Sequence, residues 1–152
     1  MVKNVFKKLG KKQKNNKGFS LVELIVVIAI MAVLVGVLAP QLIKYVEKSR
    51  EATDIQTCDN IATALKTYYA DEEVAASATA TVIVTLGKTE LGTVADTAVK
   101  DAGLTKAKIK GTKWTGDKIT IVYNKADGTI TYTGDSPYYH SDKDQFKKGP
   151  KS

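Results

Sequence analysis

Few side chains in this 152-residue sequence could do chemistry, and the most conspicuous is Glu23. It is a lone carboxylate at the start of an apolar run. Over residues 24–43 no side chain is charged, an interval of about 20 residues, which is the length a helix needs to cross a hydrocarbon core of roughly 30 Å. A carboxylate at the centre of such a helix costs about 2.5–3.5 kcal/mol on insertion scales, and an ionisable residue within a span defaults to a functional role. Glu23 sits toward one end, where the cost is smaller. Two accounts therefore stand: tolerance near the headgroups, or pairing with a cation at the same depth. A cut after Gly18 would create such a cation, the new amino group of Phe19. Both groups then belong to the first turn of one helix, where a glutamate already favours the macrodipole. A neighbouring helix shifted along the axis offers the better partner.

Other chemistry is scarce. There is one histidine, His140, and one cysteine, Cys58, so neither a multi-histidine site nor an intrachain disulfide is expected. No nucleophile–base–orienter set can be assembled from them. Cys58 falls on an apolar helical stripe and reads as a small buried hydrophobe; His140 lies in a polar stretch and reads as a solvated side chain. Asp142 and Asp144 lack the run of oxygen ligands and the glycine of a calcium loop, so no metal ligand is assigned. The glycines match no phosphate-binding spacing. The expectation is a protein that is not an enzyme and takes no cofactor.

The net charge of +7 is misleading. Lys3, Lys7, Lys8, Lys11, Lys12, Lys14 and Lys17 precede Gly18 with no acid among them. Without these seven the remaining 16 Lys and Arg balance 16 Asp and Glu. The body is neutral and lacks the basic excess that a nucleic-acid interface needs. The leader lysines instead set topology: positive residues beside a first apolar span stay on the cytoplasmic side. An ordinary secretory signal peptide is the competing account, with Val37-Leu38-Ala39 as the cleavage pattern. Against it, the apolar region exceeds the usual 7–15 residues, and Pro40 would follow the cut.

Glu23 is positioned by a leader before it and a long helix after it. Residues 1–18 read as a disordered basic leader, with Val2, Val5, Phe6 and Leu9 as a weak, uncapped helical face. The helical pattern does not end at Pro40. Apolar residues recur as Leu42, Tyr45, Val46, Ala52, Ile55, Cys58, Ile61, Ala62, Leu65 and Tyr68/Tyr69, with spacing of three and four from Ile55 onward. Lys44, Glu47, Lys48, Arg50, Glu51, Asp54, Asp59 and Lys66 are expected mostly off that stripe. One helix is predicted from about Phe19 to about Ala70, apolar on all sides in its first half and on one side in its second. Pro40 removes a donor and is expected to kink it, with Gly36 one turn earlier loosening the same place. The acids Asp71-Glu72-Glu73 would oppose the macrodipole at its C-terminus.

Beyond the helix, the β-branched residues 79–86 predict a strand or extended connector. Val94 to Ala102 predicts a short helix, with Thr93 and Asp96 as a capping-box-like pair and Gly103 as its stop. Ile119, Ile121 and Tyr123, then Ile130 and Tyr132, alternate with period two around the turn Ala126-Asp127-Gly128. A strand at 109–114 is expected to complete an antiparallel meander covering the helical stripe. Residues 136–152 read as a polar C-terminal tail, with Tyr138, Tyr139 and Phe146 as anchors.

The run Gly18-Phe19-Ser20-Leu21-Val22-Glu23-Leu24-Ile25-Val26-Val27-Ile28-Ala29-Ile30 closely resembles the N-terminal signature of type IV prepilins and of the pseudopilins of type II secretion and competence systems. The resemblance is specific over about residues 17–42; beyond it only the general plan, a long helix plus a small sheet domain, matches. It implies cleavage between Gly18 and Phe19 by a prepilin peptidase and N-methylation of Phe19. It also implies a role for Glu23 in filament assembly and a helix bend at Pro40. Two departures count: there is no cysteine pair to close a C-terminal loop, and the calcium-loop pattern of major secretion pseudopilins is not evident.

The expected fold is α+β and type IV pilin-like: a long N-terminal helix, transmembrane then amphipathic and kinked at Pro40, packed on a small antiparallel β-meander. The expected organisation is a removed leader at 1–18, a transmembrane and assembly helix at 19–43 and an amphipathic half at 44–73. A connecting region with a short helix and the sheet follows at 74–135, and the tail at 136–152. The expected function is a structural subunit of a type IV pilus, a homo-oligomeric helical filament. A secretion or competence pseudopilin is the alternative, and a monomeric membrane-anchored binding module the more distant one. The implied partners are the prepilin peptidase, an inner-membrane assembly platform and the membrane, with no nucleic acid. The implied location is the cytoplasmic membrane, single-pass with the N-terminus inside, then the cell surface after assembly.

Overall fold

A computed structural model of the chain describes residues 18–70, 81–92 and 95–150. The basic leader and its weak helical face, the acids at 71–73, Thr79 and Ala80, the cap residue Thr93 with Val94, and the last two residues all lie outside the described residues. The chain forms two compact units, one ending at Gln41 and one beginning at Leu42.

A single helix, α1, runs Leu21–Tyr68 over 48 residues, with Pro40 inside it. In the first unit its apolar side chains are exposed on every side: Leu21, Ile25, Ile28, Leu34 and Leu38 among them. A helix apolar all round needs a surrounding that is not water. By length and composition α1 is able to cross a membrane, and the 24–43 interval supplies the apolar stretch.

In the second unit Cys58, Ile61 and Leu65 of α1 are fully buried. They belong to one core with the inward residues of a three-stranded antiparallel sheet, order β1-β2-β3. The strands are β1 Thr81–Leu86, β2 Ile119–Asn124 and β3 Ile130–Thr133. Val84 lies opposite Ile121, and Tyr123 opposite Ile130. Each strand buries alternate residues, as a pleated sheet covered on one face must. The resulting fold, a long apolar helix with small antiparallel sheets, is α+β and consistent with a pilin-like fold. The short helix α2, Thr97–Asp101, is capped by Asp96, whose side chain accepts from the Ala98 amide.

Four expectations are corrected. The third strand of the sheet is β1, and 109–114 is not a strand. Residues 136–152 are not simply a polar tail: β4 Tyr139–Asp142 and β5 Gln145–Lys148 form a second antiparallel sheet. Tyr139 and Phe146 from it pack on the core, with Phe146 against Trp114 and Tyr132 at 5.7 and 5.1 Å between ring centres. His140 is half-buried, its Nδ1 2.6 Å from the Gly149 carbonyl oxygen, and is not a freely solvated side chain. The fourth concerns the helical stripe. Leu42, Tyr45 and Val46 are exposed, whereas Glu47, Glu51 and Asp54 are buried. Reading back from Cys58 in steps of four, three and four reaches Asp54, Glu51 and Glu47, so the inward face of α1 continues through three carboxylates.

Candidate functional site

In the first unit the chain enters α1 through Gly18, Phe19 and Ser20, all exposed and outside the helix. Phe19 is 84% exposed, and a side chain placed on Gly18 would meet nothing within 4 Å. The Gly18–Phe19 peptide is therefore open on all sides within the described residues. The helix then begins with reciprocal capping. The Ser20 Oγ accepts from the Val22 amide at 3.3 Å, and the Glu23 carboxylate accepts from the Ser20 amide at 2.8 Å. Ser20 and Glu23, three apart, are the S-x-x-E pattern that satisfies otherwise orphaned N–H groups at a helix start. The S-x-x-E spacing is readable in the sequence, but the charge of Glu23 by itself does not point to Ser20 as its partner.

A cut between Gly18 and Phe19 leaves the Phe19–Ser20 peptide intact. The Ser20 amide that Glu23 holds thus survives such a cut, and the capped helix start survives with it. The new amine would stand one residue before the cap, where the partial positive end of the helix and the Glu23 carboxylate are both close in sequence. Gly36 and Pro40 lie deeper in α1, four apart. Pro40 has no N–H to give the Gly36 carbonyl, and its ring crowds that same group; Gly36, without a side chain, has nothing within 4 Å of the position a Cβ would take.

The second unit contains a different polar arrangement, on the inward face of α1 and not off the stripe as the charges predict. Asp54, 1% exposed, accepts three hydrogen bonds: the Lys110 amide on Oδ1 at 2.7 Å, and the Gly111 amide and Trp114 indole on Oδ2 at 2.7 and 2.9 Å. Glu47 accepts the Thr112 amide on Oε1 and lies 3.7 Å from Arg50 through Oε2. Successive backbone donors of 110–112 thus go to helix carboxylates, which is why this segment forms no strand ladder. Gly111 is required by the close approach. A Cβ there would fall 2.7 Å from Glu51 Cγ, 2.8 Å from Trp114 Nε1 and 2.9 Å from Asp54 Oδ2.

Glu51 is 0% exposed, and its Oε2 accepts from the Ser136 hydroxyl at 2.5 Å. Burial pushes its carboxyl above the ordinary range; the Ser136 hydrogen bond opposes this, and the Glu47 and Asp54 charges add to it. Cys58, one turn beyond Asp54, is buried as a free thiol. Burial, then the charges of Asp54 and Asp59, push it well up, so it is inert. Asp142 pairs with Lys147, which holds its carboxyl below the usual range through hydrogen bond and charge. These groups form structural bonds, and among the described residues no cluster of three or more His, Cys, Asp or Glu is arranged to hold a metal ion.

The chemistry available is therefore concentrated at the helix entrance: an accessible Gly–Phe peptide, a capped apolar helix, and one carboxylate in its first turn. Comparison with curated proteins and with solved structures found no match. Residues 13–39 match the family model described as the prokaryotic N-terminal methylation motif, the type IV prepilin signature, which supports a type IV pilin-like or pseudopilin precursor.

Proposed function

We propose that this chain is a structural subunit of a type IV pilus, made as a prepilin and assembled through its apolar helix. Supporting observations are the methylation-motif match over residues 13–39 and the open Gly18–Phe19 peptide directly before α1. The motif match carries the reading. Prepilin peptidase cuts between Gly18 and Phe19 and the Phe19 amine is methylated. The lysine leader stays in the cytoplasm, residues 19–43 wait in the cytoplasmic membrane, and the second unit lies outside. Assembly then moves the apolar helix from lipid into the centre of a filament at the cell surface, so its exposed side chains exchange one non-aqueous surrounding for another. Glu23 pairs with the Phe19 amine of a neighbouring subunit, and Pro40, with Gly36, bends the helix.

The experiment is intact-mass analysis of the protein from its native membrane, followed by microscopy of sheared surface material. The expected chain begins at a methylated Phe19 and forms long filaments that contain it. Retention of residues 1–18 would overturn the prepilin reading. A processed, methylated chain that yields no surface filaments in cells with an intact secretion system would assign it to the pseudopilins, which share the motif.

A further inference from the structure

The three inward carboxylates of α1 are not equivalent. Asp54 has three donors, and Glu47 has one donor with Arg50 nearby. Glu51, between them, has a single donor: its Oε1 is buried with no hydrogen-bond partner. An ionised carboxylate with one unsolvated, unpartnered oxygen and two like charges on the adjacent turns is costly. The same carboxyl carrying a proton sheds the charge; its O–H then lacks an acceptor, a smaller cost than an unpaired buried charge.

The hydrogen bonds around Ser136 say where that proton goes. The Ser136 Oγ accepts from the Tyr138 and Tyr139 amides at 3.1 and 2.9 Å. Its own hydrogen therefore points to Glu51 Oε2. Oε2 must remain an acceptor, and the vacancy is at Oε1. Ser136 in turn opens the β4–β5 hairpin, its amide donating to the Tyr139 carbonyl at 2.7 Å. We infer that Glu51 is a neutral carboxylic acid in the folded domain, protonated on Oε1, and acts as a proton-operated lock fastening the start of the C-terminal hairpin to α1.

The groups that face this site are few. On α1 they are Glu47, which has Arg50 beside it, and Asp54; from the 110–114 segment, Gly111 and the Trp114 indole; from the hairpin side, the Ser136 hydroxyl, whose chain neighbour Asp135 has an Oδ1 that is likewise buried without a partner. Lys110 is exposed beside Gly111, and Lys48 lies 5.4 Å from the centre of the Tyr138 ring. No lysine, arginine or histidine is hydrogen-bonded or ion-paired to Glu51 among the described residues. Opening the hairpin start gives Glu51 to water, where it ionises near its ordinary value of about 4.3. Closure thus takes up one proton. The lock is therefore at full strength below the open-state pKa and weakens as pH rises toward the closed-state pKa, beyond which the loss is complete.

The test uses the full chain in detergent micelles. The Glu51 carboxyl carbon is titrated by NMR, and amide exchange at Tyr138 and Tyr139 is followed against pH after correction for intrinsic rates. The expected midpoint lies above the ordinary carboxylate range. Protection at the two tyrosines should fall by about tenfold per pH unit between about pH 4.3 and that midpoint, then level off. In Glu51→Gln the dependence should vanish. Ser136→Ala, which keeps Glu51, should move its midpoint further up by removing the hydrogen bond that stabilises the ionised form. A Glu51 midpoint in or below the ordinary range overturns the inference, whether or not the glutamine variant folds. So does a pH profile of tyrosine protection unchanged in a folded Glu51→Gln chain.

Discussion

The carboxylate of Asp54 and the indole of Trp114, 60 positions apart, meet in the interior of the domain at 2.9 Å. The same oxygen holds the Gly111 amide, and its twin holds the Lys110 amide. One side chain on the helix thereby organises a segment that would otherwise have no regular partner for its backbone. Asp54→Ala strips the acceptor from three donors at once. Each orphaned buried donor costs about 1–3 kcal/mol, and shared relaxation brings the expected loss to about 3–5 kcal/mol. Urea unfolding of the full chain in detergent, followed by Trp114 fluorescence, reads it directly. A loss below about 1 kcal/mol would mean that the 110–114 segment is held by its apolar contacts alone.

Glu23 caps α1 through the Ser20 amide, and in the proposed function it also supplies a charge for assembly. Glu23→Gln keeps a neutral acceptor in the same place and removes the charge. The helix start should then survive while surface filament yield falls at least tenfold. Ser20→Ala has the opposite profile: it weakens the first turn by about 1 kcal/mol while leaving the charge in place, so filaments should still form. Normal filament yield from Glu23→Gln, measured by shearing and microscopy, would reduce the residue to a helix cap.

Tyr69 donates its hydroxyl to both Asp96 oxygens, at 3.2 and 3.1 Å. Burial, and then the Asp96 charge and hydrogen bond, push its phenol up to about 12 from an ordinary 10. Because the folded value is the higher one, the contribution to stability is full below pH 10 and is lost as pH rises toward 12. Tyr132, whose hydroxyl donates to Asp59 at 3.2 Å, is pushed up as well, by burial and then by the Asp59 charge. Ultraviolet titration of the tyrosinate band should therefore show both residues ionising late, and Tyr69→Phe should remove the earlier of the two late steps. A wild-type curve with every described tyrosine ionising together near 10 would contradict the Tyr69–Asp96 contact.

The pattern at residues 18–23 was legible because its physics is local. An uncharged interval, a lysine leader, a glycine–phenylalanine pair and a proline inside a helical pattern can each be read from near neighbours. The β2–β3 hairpin was legible for the same reason, since period two and the Ala126-Asp127-Gly128 turn lie within one short stretch. The stripe from Cys58 to Tyr69 is likewise local, with spacing of three and four.

Tertiary structure decided the rest. Glu47, Glu51 and Asp54 continue the spacing of that stripe, but a charged side chain ordinarily marks the wet face of a helix. Their burial depends on donors 56 to 85 positions away, at Lys110, Gly111, Thr112, Trp114 and Ser136. The same donors explain why 109–114 is not a strand, which leaves the place beside β2 to β1. The C-terminal hairpin was hidden too, because Tyr139 and Phe146 are isolated apolar residues until the core offers them a surface. Alone, the sequence determined where a helix apolar enough to cross a membrane starts and how its first turn begins, since those depend on composition and near neighbours. Which carboxylates turn inward was left to the folded domain, because desolvating a charge is tolerable only where distant parts of the chain bring it hydrogen bonds.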